Sequence, residues 1–558
     1  MEEAKKEKLN LNIERAKKGF SLVESFVNKA IYTDYYLWII MAIVFIAWVT
    51  KCAPFGFVTL ILVSSFVLIF SRDILPLFAN IFGAILMIYT DKVDEFLYLW
   101  PVFIPLGLAI VAFVVRNIII KKRNGDKFRL GKLFFPQVAV SVALILGGVG
   151  VVSGEAYVSA LAHTIVLGVG MLAVYLLARN FISTEGDVDK ATYFAKILAY
   201  IGMVVSIQLV VVIARSGLAP SEWIKGNWFI GWGNRNNIST YLLFTAPMCL
   251  YLSTKYQKLG VVYILMAVFQ YICLLMTFSR GGILFGFIAL IFGIAFSIYK
   301  AKNRKMHLIC LGSVVGLMVV LYLSFMGKVN DAIESLLARG TGLSDRDLLW
   351  IEGWDLFKMH PFQGVGFGYQ GDMQSIVHEA IGIYYFHSTL FQILACMGIL
   401  GILAYGYSYV MKGIVLFKNP RNTFNLFVIV VAIGFEGYSM IDTGTMIPFP
   451  YMMLVTIMMC VVEMFTSTKE MAELDKLEDE ERKKRAKELR DQHKERRKLK
   501  KQLKAEGVGK SDTASTPDDK GESGLVSDEV ALDMHEERNT YDDRAEDNLI
   551  EKPVVEET

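Results

Sequence analysis

Charged side chains are scarce over most of this 558-residue chain. Residues 35–466 carry 30 basic and 21 acidic side chains, about 12% of that stretch and about half the fraction usual in soluble proteins. The mean hydropathy of the whole chain is +0.44, so this stretch cannot be an ordinary soluble core. It is predicted to be an all-α polytopic membrane domain that follows a cytoplasmic N-terminal segment, residues 1–34.

Paired cysteines and metal-binding motifs are also missing. The six cysteines stand singly in apolar segments and none forms a CxxC pair, which excludes a disulfide scaffold and argues against structural zinc. His378-Glu379 has no second histidine at the spacing of a zinc helix, so no metal and no cofactor are predicted. The N-terminus is long and charged, unlike a cleaved signal peptide.

A membrane-spanning helix needs about 20 predominantly apolar residues. Fourteen runs approach that length, near 36–52, 54–71, 74–90, 98–120, 133–153, 156–178, 191–214, 237–254, 259–278, 282–299, 307–325, 387–411, 423–443 and 447–465. The sequence therefore predicts about 14 transmembrane helices with one large extracytoplasmic loop, at about 326–386. The continuous apolar runs favour helices over a β-barrel.

Lysine and arginine in the short loops indicate the orientation, because these residues favour the cytoplasm. They cluster in alternate loops, at 121–132, 255–258, 300–305 and 412–421, which places both termini inside. A second set of cations lies on the predicted outer side: Arg215, Lys225, Arg235, Arg280, Arg339 and Arg346. An anionic ligand at the outer face would account for them.

The C-terminal tail has two parts. Residues 467–505 carry 15 basic and 10 acidic side chains and are predicted to form a charged juxtamembrane helix. Residues 506–558 carry 5 basic and 17 acidic side chains interspersed with Gly, Ser and Pro, and are predicted to be a disordered acidic tail.

Two short motifs could carry chemistry. His387-Ser388 opens an apolar run that contains Gly398 and Gly401. An imidazole at the membrane interface can accept a proton, and the glycines allow close helix packing. In Ser279-Arg280-Gly281-Gly282, the guanidinium can bind a phosphate through two parallel hydrogen bonds. Taken singly, each motif also fits an interfacial histidine or an ordinary turn with a snorkelling arginine.

Aromatic and amide side chains accompany these motifs on the outer side. Trp232 lies in the outer loop 215–236, Asn237 opens the helix that follows it, and Trp350 lies on a predicted amphipathic helix of the large loop. Such side chains can stack on sugar rings and bond their hydroxyl groups. They also fit the aromatic belt of a membrane interface. The Gly364-Val365-Gly366 run that follows lacks the strand and the lysine of a nucleotide loop.

In combination, these motifs resemble the O-antigen ligase and polymerase superfamily, which comprises polytopic GT-C-type enzymes that act on polyprenyl-diphosphate-linked glycans. His387, Ser388, Gly398 and Gly401 match the His-[Asn/Ser/Gln]-x9-Gly-x-x-Gly pattern of its ligase branches. The Ser279–Gly282 turn, Asn237 and the order Arg346, Trp350, Pro361, Gly364-Val365-Gly366 are also similar. The resemblance covers residues 215–411, and more loosely the whole of 35–466.

The resemblance implies glycan transfer from an undecaprenyl-type diphosphate donor to an acceptor hydroxyl at the outer face of the bacterial cytoplasmic membrane, without a metal. His387 would be the general base. The developing charge on the diphosphate would be stabilised by cations. The candidates for this role are Arg280, Arg235, Arg346, Lys225 and Arg215. Asn237, Trp232 and Trp350 would bind the glycan or the acceptor, and no nucleic acid partner is expected.

Two other functions fit the same residues. A polymerase that joins repeat units would use the same donor as a ligase, and the sequence does not separate the two. A lipid-linked glycan flippase should instead carry polar residues deep in several helices. A scaffold or sensor that signals through its tail would not explain Arg280 and His387.

Overall fold

The computed structural model describes residues 2–90, 93–184, 186–218, 222–223, 228–324, 326–327, 330, 334, 346–369, 383–442 and 444–505. These residues form helices joined by short connections, and they contain no β-strand beyond one isolated bridge between Phe229 and Asn234. The all-α class is therefore confirmed. Lys225, Arg339 and the predicted acidic tail lie outside the described residues.

The α-helices are α1 (Glu2–Ala30), α2 (Asp34–Val49), α3 (Ala53–Phe70), α4 (Leu77–Leu86), α5 (Phe103–Asn124), α6 (Phe134–Leu146), α7 (Gly154–Ile165), α8 (Met171–Phe181), α9 (Lys190–Arg215), α10 (Arg235–Lys255), α11 (Gly260–Met276), α12 (Arg280–Lys300), α13 (Arg304–Ser324), α14 (Arg346–Met359), α15 (Thr389–Phe417), α16 (Thr423–Ser439), α17 (Met453–Val461) and α18 (Lys469–Ala505). Short π-helical segments join α7 to α8 and flank α17.

Among the described residues, eight helical segments are long and apolar enough to cross a membrane, or nine if the bent pair Lys17–Ala30 and Asp34–Val49 forms one span. The multi-pass membrane class is thus confirmed, but the count of fourteen is not. Each predicted run contains helix. However, α4, α6, α11 and α16 have only 10–17 residues, shorter than the ~20 that cross the hydrocarbon core unaided.

Helix α10 lies at the centre of the membrane domain, where it packs against α9, α11, α12 and α16. Every residue from Ile238 to Thr254 is buried. Its polar side chains bond to neighbouring helices: Ser239 to Thr277 at 2.8 Å, Thr245 to Gln270 at 2.8 Å and Ser253 to Ser297 at 3.2 Å. Such bonds join helices in lipid. Helix α10 therefore holds the neighbouring helices in position through both packing and hydrogen bonds.

Helix α15 is broken at Gly398, whose φ of 58° and ψ of −145° lie outside the helical region. The residues after α14 bond to the opened backbone: Val365 N–H donates to the carbonyl of Ala395 at 2.7 Å, and Ile399 N–H donates to that of Pro361 at 2.8 Å. Because unpaired backbone groups are costly in a membrane, the Gly364–Gly366 run is needed to complete the helix. Gly398 therefore breaks its helix, in contrast to the helix-packing role predicted from the sequence.

We expect Gly398→Ala to destabilise the protein by at least about 1–2 kcal/mol, the cost of a left-handed conformation at a non-glycine residue. A β-carbon there would also lie 2.4 Å from the carbonyl oxygen of Pro361. Thermal unfolding in detergent measures the effect. Gly406→Ala, in the same helix but with open space around it, is the matched control and should unfold at or above the wild-type temperature. Equal stability of the two variants would contradict the role of Gly398.

By internal contacts the chain divides into two units, Met1–Glu481 and Arg482–Thr558. The first unit contains α1 to α17 and the beginning of α18. There, Asp475 accepts hydrogen bonds from Asn419 at 2.5 Å and from Asn422 at 2.9 Å, and Asp479 pairs with Lys300 at 3.2 Å. The first turns of α18 are thus attached to the ends of α12 and α15. Helix α18 covers most of the predicted juxtamembrane segment 467–505.

Candidate active site at the starts of four helices

Four helices begin at the same end of the first unit: α10, α12, α14 and α15. The residues that precede two of them are strained. Phe278, two residues before α12, has a φ of 52°, and His387, two residues before α15, has a φ of 47°. Non-glycine residues rarely adopt such values, and they are concentrated at functional sites. Two of the three described non-glycine residues with positive φ thus lie at the starts of α12 and α15, and the third, Lys51, lies between α2 and α3.

Asp442, just after α16, connects the motifs. Its Oδ1 lies 3.4 Å from the Nδ1 of His387, and its Oδ2 lies 3.7 Å from the guanidinium of Arg346. The hydroxyl of Tyr438 donates to the same carboxylate at 3.0 Å. The Asp442 side chain is only 14% exposed, whereas that of His387 is 33% exposed. The carboxylate is thus enclosed, while the imidazole remains open to a substrate.

Arg346 is the first residue of α14, and its guanidinium also donates to the carbonyl oxygen of Ile441. The guanidinium therefore contacts two successive residues of the segment after α16. This contact ties the large loop to the end of α16, although the two are distant in sequence. The predicted amphipathic helix of the large loop is α14.

The Ser279–Gly282 turn meets the same segment from the other side. Ser279 Oγ lies 3.3 Å from the hydroxyl of Tyr438 and donates to Asn236 Oδ1 at 3.0 Å. A β-carbon at Gly281 would lie 2.5 Å from the Ile441 side chain and 2.7 Å from the Tyr438 ring, so a larger residue would force these side chains to shift. Arg280, exposed at the first position of α12, is thereby placed beside the segment Tyr438–Asp442.

Helix starts add positive potential to this end of the protein. Within the described residues, neither Ser279 nor Ser388 makes a side-chain capping bond to its helix, α12 or α15. First-turn N–H groups of a helix attract anions, and the helix dipole adds to this attraction. Arg280 and Arg346 add two positive charges at these helix starts, where Asp442 and Asp347 are acidic. The helix starts and the arginines make this end suited to an anionic ligand.

The other predicted binding residues lie in and around the loop before α10. Arg235 is the first residue of α10, next to Asn236, and Arg215 is exposed at the end of α9. The Asn237 side chain accepts from Asn234 N–H at 3.0 Å and donates to the Tyr451 hydroxyl at 3.1 Å. Trp232 Nε1 donates to Gln208 at 3.0 Å. Asn237 and Trp232 thus make hydrogen bonds within the protein, and glycan binding by either stays a prediction.

Three buried polar atoms near the cluster have no hydrogen-bond partner among the described residues: Trp350 Nε1, Thr389 Oγ1 and Ser439 Oγ. Trp350 lies one turn after Arg346 and stacks on Phe391 at 5.5 Å. Because buried polar groups in folded proteins are nearly always paired, these three atoms show that the interior beside the cluster is not fully satisfied by the described residues.

Asp442 and Tyr438 are the site residues that the sequence analysis missed. The predicted span 423–443 includes Asp442 next to its last residue. An acidic side chain within a predicted span is itself a functional signal, and it could have identified this carboxylate. Its partners could not be found in this way, because they lie on other helices.

The fold and the cluster define a multi-pass, all-helical membrane protein with a histidine, a carboxylate and arginines at one end of its helices. Residues 262–406, which include Arg280, Arg346 and His387, match the family model described as O-antigen ligase. The resemblance to the O-antigen ligase and polymerase superfamily, inferred from the motifs, is thereby confirmed over this segment, which is roughly a quarter of the chain. No curated protein matches the chain.

Proposed function

We propose that the protein transfers a glycan from a polyprenyl-diphosphate-linked donor to the hydroxyl group of an acceptor, without a metal. The observation that carries this proposal is the convergence on Tyr438–Asp442: His387 and Arg346 bond there, and the turn before Arg280 packs there. The pairing of His387 and Arg346 with Asp442, next to the helix that begins with Arg280, supports a site with a base and two cations.

The imidazole of His387 would act as the general base. Its Nδ1 faces the carboxylate of Asp442, which leaves Nε2 for the acceptor. A carboxylate in this position holds the ring and stabilises the imidazolium that forms, as in hydrolase triads. The acceptor hydroxyl gives its proton to Nε2 while its oxygen attacks the anomeric carbon of the donor sugar.

The arginines would stabilise the leaving group. As the bond between the anomeric carbon and the diphosphate oxygen breaks, its electron pair remains on the diphosphate. Arg280, Arg346 and the neighbouring Arg235 would neutralise this charge in place of a metal ion. One displacement without a covalent intermediate inverts the configuration of the anomeric carbon.

A reconstituted reaction tests this function. Purified full-length protein in lipid would be mixed with a polyprenyl-diphosphate-linked glycan and a hydroxyl-bearing acceptor, in the presence of EDTA. We expect one polyprenyl diphosphate to be released for each new glycosidic bond. A single addition to the acceptor would indicate a ligase, whereas a ladder of repeat units would indicate a polymerase. Movement of the donor across the bilayer without any new bond would indicate a flippase and contradict the proposal.

The site is proposed to face the outside of the cell, with both termini in the cytoplasm. We expect Arg280→Cys and His387→Cys, each made in a chain without the six native cysteines, to react with an impermeant thiol reagent added to intact cells. The reason is the alternation of Lys- and Arg-rich loops, which places 121–132 inside. Lys127→Cys should react only after permeabilisation. The reverse labelling pattern would contradict the orientation.

We expect Asp442→Asn to lower kcat by about 10²–10⁴-fold, in line with loss of the carboxylate in a histidine–carboxylate pair. Donor binding should be retained, because the substitution leaves Arg280 and Arg346 in place. Asp442→Glu should recover part of the rate by restoring the charge. Asp355→Asn, which alters an exposed carboxylate on α14 paired with Lys358, is the matched control. Equal rates for Asp442→Asn and the control would contradict the role of Asp442.

A further inference from the structure

A second cluster of cations lines a cavity at the opposite end of the helices. This cavity is bounded by the ends of α5 and α8 and by the connections that follow them. Helix α9 begins on this side, at Lys190, and ends at Arg215 on the side of the candidate active site. A helix of 26 residues is about 39 Å long. The cavity and the candidate active site are therefore separated by about the thickness of a membrane.

The lining of the cavity is strongly basic. It includes five cationic side chains and one acidic side chain: Arg72, Lys121, Lys127, Arg129, Arg179 and Asp126. Arg72 pairs with Glu24 at 2.9 Å. Even with Glu24 and Asp126 counted, the positive charges exceed the negative ones. The cavity has a volume of about 120 Å³, well above the ~10–15 Å³ that one water molecule needs. It can therefore hold a polyatomic anion.

The wall of the cavity is built from buried residues. Asn180, which is buried, accepts the N–H of Arg129 at 2.9 Å and donates to the carbonyl of Arg129 at 3.0 Å. These two bonds fix the backbone of the loop that carries Lys127 and Arg129. Lys121 lies 3.4 Å from Asn180 Oδ1 and 5.7 Å from the centre of the Phe181 ring. The cations are thus held around the cavity by specific contacts.

One donor in this wall is buried and unsatisfied. Arg179 Nε is buried and has no hydrogen-bond partner among the described residues. Buried donors of this kind are rare and are usually explained by a ligand or a water molecule. Arg179 also lines the cavity beside the other cations, and a guanidinium in such a position is suited to a phosphate group.

We propose that this cavity binds a phosphate group, as presented by the headgroup of an anionic lipid in the leaflet next to it. Its lysines and arginines lie at the ends of apolar helices, where the phosphates of that leaflet are located. With the orientation proposed above, this leaflet is the cytoplasmic one. The proposal does not depend on the glycan reaction, because it rests on separate residues at the other end of the helices.

Retention of lipid by the full-length protein tests the proposal. Delipidated protein in detergent would be incubated with phosphatidylglycerol, with phosphatidylcholine or with inorganic phosphate, and bound lipid would be measured by native mass spectrometry and thermal stability. We expect saturable binding of phosphatidylglycerol, and roughly 10²-fold weaker binding after Lys127→Gln, Arg129→Gln and Arg179→Gln together, since each cation near the surface contributes about a five-fold effect. If the triple variant does not fold, the double variant Lys127→Gln, Arg129→Gln replaces it, and its binding of phosphatidylglycerol should also be weaker than that of the wild type.

The matched control removes three cations at the same end but outside the cavity, through Lys258→Gln, Lys302→Gln and Lys305→Gln. It should bind phosphatidylglycerol as the wild type does. If inorganic phosphate alone gives the full stabilisation, the phosphate site is supported and its ligand is soluble. Equal loss in the control variant, or equal binding of phosphatidylcholine, would overturn the proposal.

Discussion

Replacing His387 with alanine should slow glycan transfer by about 10²–10⁴-fold, the usual loss when a general base is removed. Donor binding should be largely retained, because the arginines that hold the diphosphate remain. The expected result is therefore a fall in kcat with little change in the dissociation constant of the donor. Single-turnover kinetics and a separate binding assay, both on protein in lipid, measure the two quantities.

Two further variants distinguish the loss of the base from a loss of structure. His387→Asn removes the base, and asparagine tolerates the left-handed conformation that His387 adopts. It should therefore fold and still be slow. His360→Ala changes a histidine next to Pro361, away from the Asp442 cluster, and should leave the rate unchanged. Wild-type turnover by His387→Asn would contradict the role of His387 as the general base. His387 would then be only an interfacial residue before a helix.

Arg280→Ala should lower both donor binding and turnover, with kcat falling by about 10²–10³-fold, the loss reported when one stabilising donor is removed from a developing anion. Arg280→Lys should lose less, because lysine keeps the charge but not the planar pair of hydrogen bonds. This order, with wild type fastest, lysine intermediate and alanine slowest, distinguishes diphosphate binding from a purely structural role. Donor affinity and kcat of the three proteins measure it.

Arg304→Ala is the matched control for Arg280. Arg304 is the first residue of α13, as Arg280 is of α12, but it follows the end of α12 and therefore lies away from the cluster. Its guanidinium donates to the carbonyl of Tyr299 at 2.8 Å. Equal losses in Arg304→Ala and Arg280→Ala would show that any helix-start arginine matters for stability, and would contradict the assignment of Arg280.

Part of the site could be predicted from the sequence because its signals are local. Arg280 and Arg346 lie on the predicted outer side, although lysine and arginine usually favour the cytoplasmic side. His387 lies where the large outer loop meets a predicted helix. His387 and Arg346 do converge on Asp442 in the structure, and Ser279, the residue before Arg280, contacts Tyr438. The all-helical class likewise follows from long apolar runs alone.

Other features depend on contacts between distant segments. Asp442 is 55 positions from His387, and nothing near it in the chain shows that they pair. The break at Gly398 depends on backbone groups of the Pro361–Gly366 segment, which lie outside the helix that they complete. The lengths of some helices depend on such contacts too: α11 and α16, which pack on the buried helix α10, have 17 residues each, fewer than the ~20 of a lone span.

A structure of the full-length protein in a lipid nanodisc, with a phosphonate analogue of a polyprenyl-diphosphate-linked glycan bound, would test the proposed site most directly. We predict that the diphosphonate contacts Arg280 and Arg346, and that the first sugar lies between it and the imidazole of His387, with Asp442 on the far side of the ring. A diphosphonate bound away from both arginines, or a sugar out of reach of His387, would contradict the site and the reaction proposed for it.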